Sequence, residues 1–435
     1  MLNWQLIRYY IGLVYQFRKH PMSSLPQWRR NLYILFSVQI LSTAGFSLVF
    51  PFLPLYVKEL GVSTVGSIEF WSGLVFSSQA VTMMFTAPIW GTIADRYGRK
   101  PMLIRASLGG AILVGAMGFA QNAEQLVLLR TLQGLVSGVI AASNALVAAS
   151  TPPEKSGEAL GLMQTGTWVG VAIGPLVGGV LGDAFGFRES FWITGAMLGL
   201  AAFAVIVWVR EDFTPLAHKD RPGFFSSYRK LIHIPDMGSL YSSTFLFSVA
   251  RSVTLPIAAL FVLELMGPTA AVATVTGMLM GFKAIVGSGS AVWFDRLGDR
   301  LGHPRVLLFG AVLGVLLYIP QPFVTAAWQL VVLQALTGLV QGAMVPAIGA
   351  LMNLRTPAGF KGTAYGLDNS VNAGGRMIAP MLGAGIAVWF GFRGVFALTG
   401  VVYVGSVLVA WHIYRNSLRN PQDFAKQPAV AEVGD

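Results

Sequence analysis

One carboxylate of this chain lies deep inside an apolar segment, where charge is costly. Asp368, Asn372 and Arg376 fall at positions i, i+4 and i+8, so a helix would place all three on one face. Ionisable residues inside a membrane usually line a path for protons or solutes. We therefore predict that Asp368 takes up and releases a proton. The alternative is a structural ion pair with Arg376 or, across helices, with Arg251.

A buried cation in another apolar segment points to the same kind of site. Arg130 precedes Gln133 and Gly134 and lies about a turn and a half inside its segment. A charge in that place costs several kcal/mol unless it lines water or has a partner. Arg130 therefore predicts a cavity or a relay, and Arg130, Arg376 or Lys283 could adjust the pKa of Asp368. The alternative is that Arg130 extends to the nearby membrane surface.

A third pattern is a series of glycines around one proline. Glycines about four residues apart share a helix face and allow another backbone to approach closely, while proline removes a helical hydrogen bond and bends the helix. The pattern predicts a helix that packs tightly and can flex. Its members are Gly161, Gly170, Gly174, Pro175, Gly178 and Gly179.

The fourth pattern is a short basic loop that contains one aspartate. Asp95 would end a helix at the negative pole of the helix dipole, so it needs a partner such as Arg96, Arg99 or the start of a helix near Gly362. Such a cluster could latch one half of the protein to the other, and the alternative is a simple turn with a basic membrane anchor. The loop comprises Gly91, Asp95, Arg96, Gly98, Arg99 and Lys100.

Patterns typical of enzymes do not occur in the sequence. The five histidines are widely separated and form no zinc-binding pair, and no serine is flanked by the glycines of a nucleophile elbow. No phosphate-binding loop is complete, and the chain has no cysteine. We therefore expect neither a cofactor nor a metal, no enzymatic activity, and an energy source other than ATP.

The composition predicts that these residues are positioned by membrane-spanning helices. The chain is 54% hydrophobic and only 11% charged, whereas soluble domains are about 25% charged. Segments long enough to cross about 30 Å of hydrocarbon as helices occur at 32–57, 70–94, 103–120, 126–149, 159–184, 190–209, 239–265, 271–294, 305–324, 328–352, 362–389 and 393–413.

The twelve predicted spans form two copies of one six-span unit. Gly170, Pro175 and Gly178 recur at a constant offset of 205 positions, as in the pair Pro175 and Pro380, and Gly134 recurs as Gly338 with a slip of one residue. A membrane protein built from two parallel repeats typically has its site between them. The predicted fold is thus an all-α membrane protein with two pseudo-symmetric six-helix bundles.

Charge asymmetry predicts the topology. If the N-terminus is placed in the cytoplasm, only Lys58, Arg188 and Arg393 of the 30 Lys and Arg residues would lie on the outer side of the membrane. The positive-inside rule therefore predicts that both termini are cytoplasmic. The net charge of +11 therefore reflects topology, and we do not expect nucleic acid as a partner. The predicted organisation is an interfacial N-terminal segment 1–30, bundles 31–210 and 238–415, a cytoplasmic linker 211–237, and a disordered tail 416–435.

Taken together, the motifs resemble those of the major facilitator superfamily, in its twelve-span drug:proton antiporter branch with the tetracycline and multidrug efflux proteins. The basic loop, the segment around Arg130 and the glycine series each match a family motif, and residues 94–212 are similar to bacterial exporters of the fosfomycin and deoxycholate type. The resemblance implies a monomer in the bacterial inner membrane that works by rocking of the bundles. It also implies that Arg130 assists proton transfer and that the glycine series shapes the interface.

The resemblance implies an amphiphilic substrate, a role in antibiotic resistance and exchange for protons. Many antiporters of this branch carry a carboxylate in the first span, where this chain offers Gln39. Aromatic and polar side chains could line the cavity: the candidates are Gln39, Phe46, Gln164, Trp168, Arg251, Lys283 and Asn372. The alternatives are a lipid or glycolipid flippase, a sugar or metabolite importer, and a membrane protein that does not transport.

Overall fold

The computed structural model describes residues 26–211, 234, 236–268, 271–356 and 361–419. Within helices, the side chains of Pro88, Asp95 and residues 361–363 lie outside this description. The described part of the chain contains helices and turns but no strand. Segment 1–30, linker 211–237 and tail 416–435, as predicted from the sequence, fall largely outside the described residues.

The first six spans form the N bundle. Span 1 and span 4 are each made of two helices, and the other spans are single helices. Their bounds are Gln27–Leu48 and Leu53–Leu60 for span 1, Ile68–Tyr97 for span 2, Arg99–Met117 for span 3, Ala123–Leu135 and Val139–Ser150 for span 4, Ser156–Phe185 for span 5, and Phe187–Trp208 for span 6.

The other six spans form the C bundle. Span 7 consists of Met237–Ser252 and Leu255–Met266, and spans 8, 9 and 10 are Val272–Leu301, His303–Tyr318 and Ala327–Arg355. The helix Lys361–Arg419 is interrupted by the non-helical Gly391, so it provides both span 11 and span 12. Most of these helices are long and apolar enough to cross a membrane. The predicted all-α architecture of twelve spans is confirmed.

Four glycines with positive φ allow consecutive spans to reverse direction almost without a loop. Gly98 joins spans 2 and 3, Gly186 joins spans 5 and 6, Gly302 joins spans 8 and 9, and Gly391 joins spans 11 and 12, with φ values of 99°, 98°, 94° and 70°. A side chain would be strained in that conformation. The four junctions form two pairs at the repeat offset. The same positive-φ glycine turn therefore occurs at equivalent places in both copies of the repeat.

The two bundles touch at the end of the molecule where span 1 finishes, which we call the far end. A Cβ on Gly73 of span 2 would lie 2.8 Å from Ala384 Cβ and 2.9 Å from the Pro380 carbonyl oxygen of span 11. At the equivalent place, Gly277 of span 8 meets Pro175 and Gly179 of span 5. Because glycine has no side chain, both pairs of backbones approach closely.

The opposite end, where span 1 begins, is the basic end, and there the same helix faces are open. Gly91 lies 18 residues after Gly73, and Gly161 lies 18 residues before Gly179. Eighteen residues make five helical turns, so each pair shares a face about 27 Å apart along its helix. A Cβ on Gly91 or Gly161 would meet nothing within 4 Å. The bundles therefore enclose a gap that is closed at the far end and open at the basic end.

A buried ion pair holds the C bundle together at its basic end. Asp236, at the start of span 7, accepts hydrogen bonds from Arg355 Nη2 at the end of span 10 (2.5 Å) and from Asn416 Nδ2 at the end of span 12 (2.7 Å). Both members of the ion pair are buried, with side-chain exposures of 6% for Asp236 and 10% for Arg355. One carboxylate thus links the basic ends of spans 7, 10 and 12.

We expect Asp236→Asn to destabilise the protein, because it removes the negative charge that lies against the largely buried Arg355 guanidinium. Removing one partner of a buried pair costs on the order of 3 kcal/mol, which would lower the Tm by roughly 5–10 °C. Asparagine also tolerates the left-handed backbone of Asp236, with its φ of 66°. Thermal unfolding in detergent measures the change.

The control for this prediction removes an exposed ion pair. Lys155 and Glu158 lie 3.5 Å apart, and each side chain is about half exposed. Exposed pairs contribute at most about 1 kcal/mol, so Lys155→Ala should leave the Tm almost unchanged. An Asp236→Asn protein as stable as the Lys155→Ala protein would contradict the structural role of the cluster.

Candidate functional site

A ladder of polar contacts joins spans 7 and 11. The Thr244 hydroxyl donates to Asp368 Oδ1 at 2.6 Å, and one turn further the Ser248 hydroxyl donates to the Asn372 carbonyl oxygen at 2.8 Å. The spans approach closely because Gly375 presents no side chain to Ser248. The helix face predicted for Asp368 and Asn372 exists, and its partners come from span 7.

Asp368 has a neutral partner. None of the ion pairs between described residues includes this carboxylate, so the alternative of a structural pair with Arg376 or Arg251 does not hold. Arg376 is exposed two turns further along span 11. A carboxylate held by a hydroxyl alone has no fixed counter-charge, so it can exist with or without its proton.

Arg130 is buried inside the N bundle. The residue is only 1% exposed, and its guanidinium lies 5.9 Å from the ring centres of both Phe50 and Phe76. Nη1 donates to Gln133 Oε1 at 2.9 Å, while Nε and Nη2 have no partner among the described residues. Arg130 therefore does not extend to the membrane surface, and it keeps an uncompensated charge between two aromatic rings.

The C bundle also holds a cation between two helices, but its cation lies on span 8, the counterpart of span 2, and not on span 10, the counterpart of span 4. At the repeat offset of 204 positions, Gln334 of span 10 takes the place of Arg130, and Lys283 of span 8 takes the place of Gln79. Lys283 Nζ donates to Gln334 Oε1 at 3.2 Å, and Gln334 Nε2 donates to Gln321 Oε1 at 2.8 Å. Each bundle thus holds one cation between equivalent helices, and this exchange of positions breaks the symmetry between the bundles.

The glycine series of span 5 makes close contacts on two sides. A Cβ on Gly170 would lie 2.7 Å from Thr43 Cβ of span 1, and one on Gly174 or Gly178 would overlap the backbone of the same span. Gly179 faces the start of span 8 in the other bundle, and Gly161 faces the open gap. The series therefore packs span 5 within its own bundle and also against the C bundle.

Four predicted cavity residues divide into two groups. Gln39 is buried and donates to Thr167 Oγ1 at 2.9 Å, and Phe46 packs 3.0 Å from the position of a Cβ on Gly110, so both lie inside the N bundle. Gln164 and Trp168 are exposed. Trp168 lies seven residues, or two helical turns, before Pro175, so these two side chains continue the inter-bundle face into the open gap.

The gap has a different chemical character on the side of the C bundle. Arg376 lies four residues before Pro380 on the helix face that meets span 2, and Arg376 and Asn369 are both exposed. A tryptophan and an amide on span 5 therefore share the gap with a guanidinium and an amide on span 11. Such a site offers one broad apolar surface and a few directional polar groups, as binding sites for small molecules usually do.

The basic loop is held by a carboxylate that the sequence argument missed. Glu211 accepts hydrogen bonds from the backbone N–H groups of Arg99 (Oε1, 2.8 Å) and Lys100 (Oε2, 2.7 Å) at the start of span 3. The Asp95 side chain lies outside the described residues, so the predicted latch at Asp95 stays a prediction. The sequence gives little indication of this contact, because Glu211 follows span 6 and lies more than 100 residues from the loop.

Two comparisons of the sequence give one family. The model of the Major Facilitator Superfamily matches the chain twice, over residues 35–237 and 240–432. The chain is 39% identical over 410 residues to the Multidrug resistance protein MdtG of Yersinia enterocolitica, covering 93% of this chain and 99% of that protein. It is 37% identical over 392 residues to the protein of the same name from Proteus mirabilis, with coverage of 90% and 98%.

Solved structures share the fold at much lower sequence identity. A bacterial homologue of the human lysosomal transporter Spinster, in an inward-facing and unoccupied conformation, superimposes with a TM-score of 0.78 at 17% identity and covers 93% of this chain and 100% of its own. The human organic anion transporter MFSD10 gives a TM-score of 0.65 at 16% identity, with coverage of 89% and 100%. These likenesses concern the fold alone.

Proposed function

Because the chain belongs to the major facilitator superfamily, we propose that it is a secondary active exporter of amphiphilic drugs, driven by exchange for protons. The observation that carries this proposal is the gap between the bundles, closed at the far end and open at the basic end. The names of the relatives at 37–39% identity support multidrug export as the activity.

We propose that the basic end faces the cytoplasm of a bacterial cell, in the inner membrane. The distribution of Lys and Arg supports this orientation, since Lys58, Arg188 and Arg393 are the basic residues placed at the far end. The described conformation would then be open to the cytoplasm, ready to take up a drug from inside. We expect the transporter to act as a monomer, with both termini in the cytoplasm.

We propose that Asp368 carries the coupling proton. Its neutral partner Thr244 and its lack of a described ion pair support this role, because the group can gain or lose a proton without breaking a salt bridge. Arg130 would assist from the N bundle, where its uncompensated charge responds to a proton or a substrate in the gap.

The charges inside the spans favour substrates with an anionic or zwitterionic group. Away from the span ends, the described spans carry one carboxylate, Asp368, and four cations, which are Arg130, Arg251, Lys283 and Arg376. An amphiphile with a negative group would offset part of this excess, whereas a permanent cation would add to it. Trp168 would contact the apolar part of the molecule.

The test is transport by the purified protein in liposomes. Anionic, neutral and cationic amphiphiles, a fluorescent phospholipid and a radiolabelled sugar are compared with and without an imposed pH gradient. We expect the small amphiphiles to accumulate against their own concentration gradient only when the pH gradient is imposed, and anionic ones to accumulate fastest. Movement of the phospholipid alone would show a flippase instead, and movement of sugars but not of amphiphiles would show an importer.

The variant Arg130→Gln should separate function from stability. Removing an uncompensated buried charge should leave the Tm unchanged or raise it, while gradient-driven transport should fall about tenfold or more. Liposome transport and thermal unfolding of one preparation measure both effects. A fall in transport matched by a fall in Tm would mean that Arg130 serves the packing of the N bundle rather than the transport cycle.

A further inference from the structure

At the far end, a carboxylate of the N bundle caps a helix of the C bundle. Asp183, near the end of span 5, accepts hydrogen bonds from the backbone N–H groups of Ala273 (Oδ1, 3.2 Å) and Thr274 (Oδ2, 2.6 Å) in the first turn of span 8. Among the described residues, these are the hydrogen bonds that pass from one bundle to the other. The contact therefore exists only while the far end is closed.

Span 8 depends on this contact because it lacks a cap of its own. Its N-cap residue is Ala271, whose side chain accepts no hydrogen bond. The first N–H groups of a helix have no partner within the helix, and an anionic group there is stabilised by the helix dipole as well. Span 2, the counterpart of span 8, has a local cap, since Ser67 Oγ accepts from the Phe70 N–H.

The equivalent interface between spans 2 and 11 has no such carboxylate. At the repeat offset of 205 positions, Val388 of span 11 takes the place of Asp183. Both interfaces have the same close glycine and proline contacts, so the cap is an addition to one of two otherwise matched surfaces. Packing of the spans alone does not require it.

We propose that Asp183 is a positioning residue of the transport cycle that stabilises the closed far end by capping span 8. This inference rests on the proposed alternation between two open states. Opening the far end separates Asp183 from span 8 and leaves two N–H groups to water, so the carboxylate biases the equilibrium towards the described state. Because only the interface of spans 5 and 8 carries it, that interface contributes more of the resistance to opening.

The experiment measures distances between the bundles in the full-length protein. The chain contains no native cysteine, so spin labels can be attached at Phe119→Cys and Phe323→Cys, two exposed positions at the far end of opposite bundles. Asp183→Ala should raise the ratio of the long-distance to the short-distance population about three- to tenfold, in line with the loss of a helix cap. Asp183→Asn, which keeps one acceptor oxygen, should give a smaller rise.

Val388→Ala is the matched control, and it should leave both populations and the Tm unchanged. If Asp183→Ala folds and its distances equal those of the wild type, the proposal is overturned. If that variant does not fold, the distances of Asp183→Asn decide in the same way. A wild-type protein with one immobile distance, whatever the gradient or substrate, would instead refute the alternation on which the proposed function depends.

Discussion

Asp368→Asn should lower pH-gradient-driven export by about 5–150-fold, the range of a coupling free energy of 1–3 kcal/mol, while the protein still folds. The asparagine side-chain oxygen can still accept the hydrogen bond from Thr244, which in the structure is 2.6 Å long. The contact between spans 7 and 11 therefore persists, and only the exchangeable proton is lost. Transport of an anionic amphiphile in liposomes, with and without the gradient, measures the effect.

Two controls distinguish a loss of proton coupling in Asp368→Asn from a general loss of transport. Exchange of substrate across the membrane without a gradient should be largely retained, because the gap and its lining residues are unchanged. Glu154→Gln, which neutralises an exposed carboxylate near the basic end of span 5, should leave gradient-driven export at the wild-type level. Full gradient-driven export by Asp368→Asn would remove Asp368 from the coupling step.

Gly179→Ala should shift the protein away from the described state. The added methyl group would overlap the Ala273 carbonyl oxygen and lie 2.8 Å from Thr274 Cα, both on the opposite bundle. Overpacking of this kind costs about 1–3 kcal/mol, so the ratio of far-end-closed to far-end-open molecules should fall about 5–150-fold. Spin-label distances at the far end measure this ratio, and export should fall with it.

Gly161→Ala is the matched comparison, because it adds the same methyl group to the same helix face five turns away. In the described state this methyl group would meet nothing within 4 Å. The far-end-closed population should therefore be kept or increased. Equal distance changes in the two variants would mean that the glycine series acts through helix propensity and not through contact between the bundles.

Long apolar runs and the internal duplication were sufficient to predict the fold. Each predicted span has a helical counterpart, usually longer by about one turn, since helix ends carry polar residues that apolarity does not detect. The pairing of Gly73 with Pro380 and of Gly277 with Pro175 follows from the same repeat. Hydropathy and periodicity report on local structure, which the membrane strongly constrains.

The site was harder to predict, because its contacts join residues far apart in the sequence. Asp368 and Arg130 are recognisable in the sequence as charges in apolar segments, but the partner of Asp368 is Thr244, 124 residues away. Gln39 and Phe46 are as polar or aromatic as Gln164 and Trp168, yet they pack inside the N bundle. All four are candidates from the sequence, and counting helical turns towards the basic end from Pro175 would have separated Trp168 and Gln164 from the two that are packed inside the bundle.

The caps at Glu211 and Asp183 are the least predictable features. Each carboxylate accepts backbone hydrogen bonds from a distant helix start, and every helix start offers such donors. No residue type at the receiving helix marks the partner. Only the spatial arrangement of the spans identifies which carboxylate reaches which helix.

Drug-dependent movement of protons is the most direct test of drug:proton exchange by this protein. Liposomes that contain the wild-type protein and a trapped pH-sensitive dye receive an outward gradient of an anionic amphiphile without any initial pH difference. If the protein exchanges drug for protons, protons move inward as the drug moves outward, and Asp368→Asn abolishes this proton movement. Drug flux with no accompanying proton movement would contradict proton exchange as the energy source of the exporter.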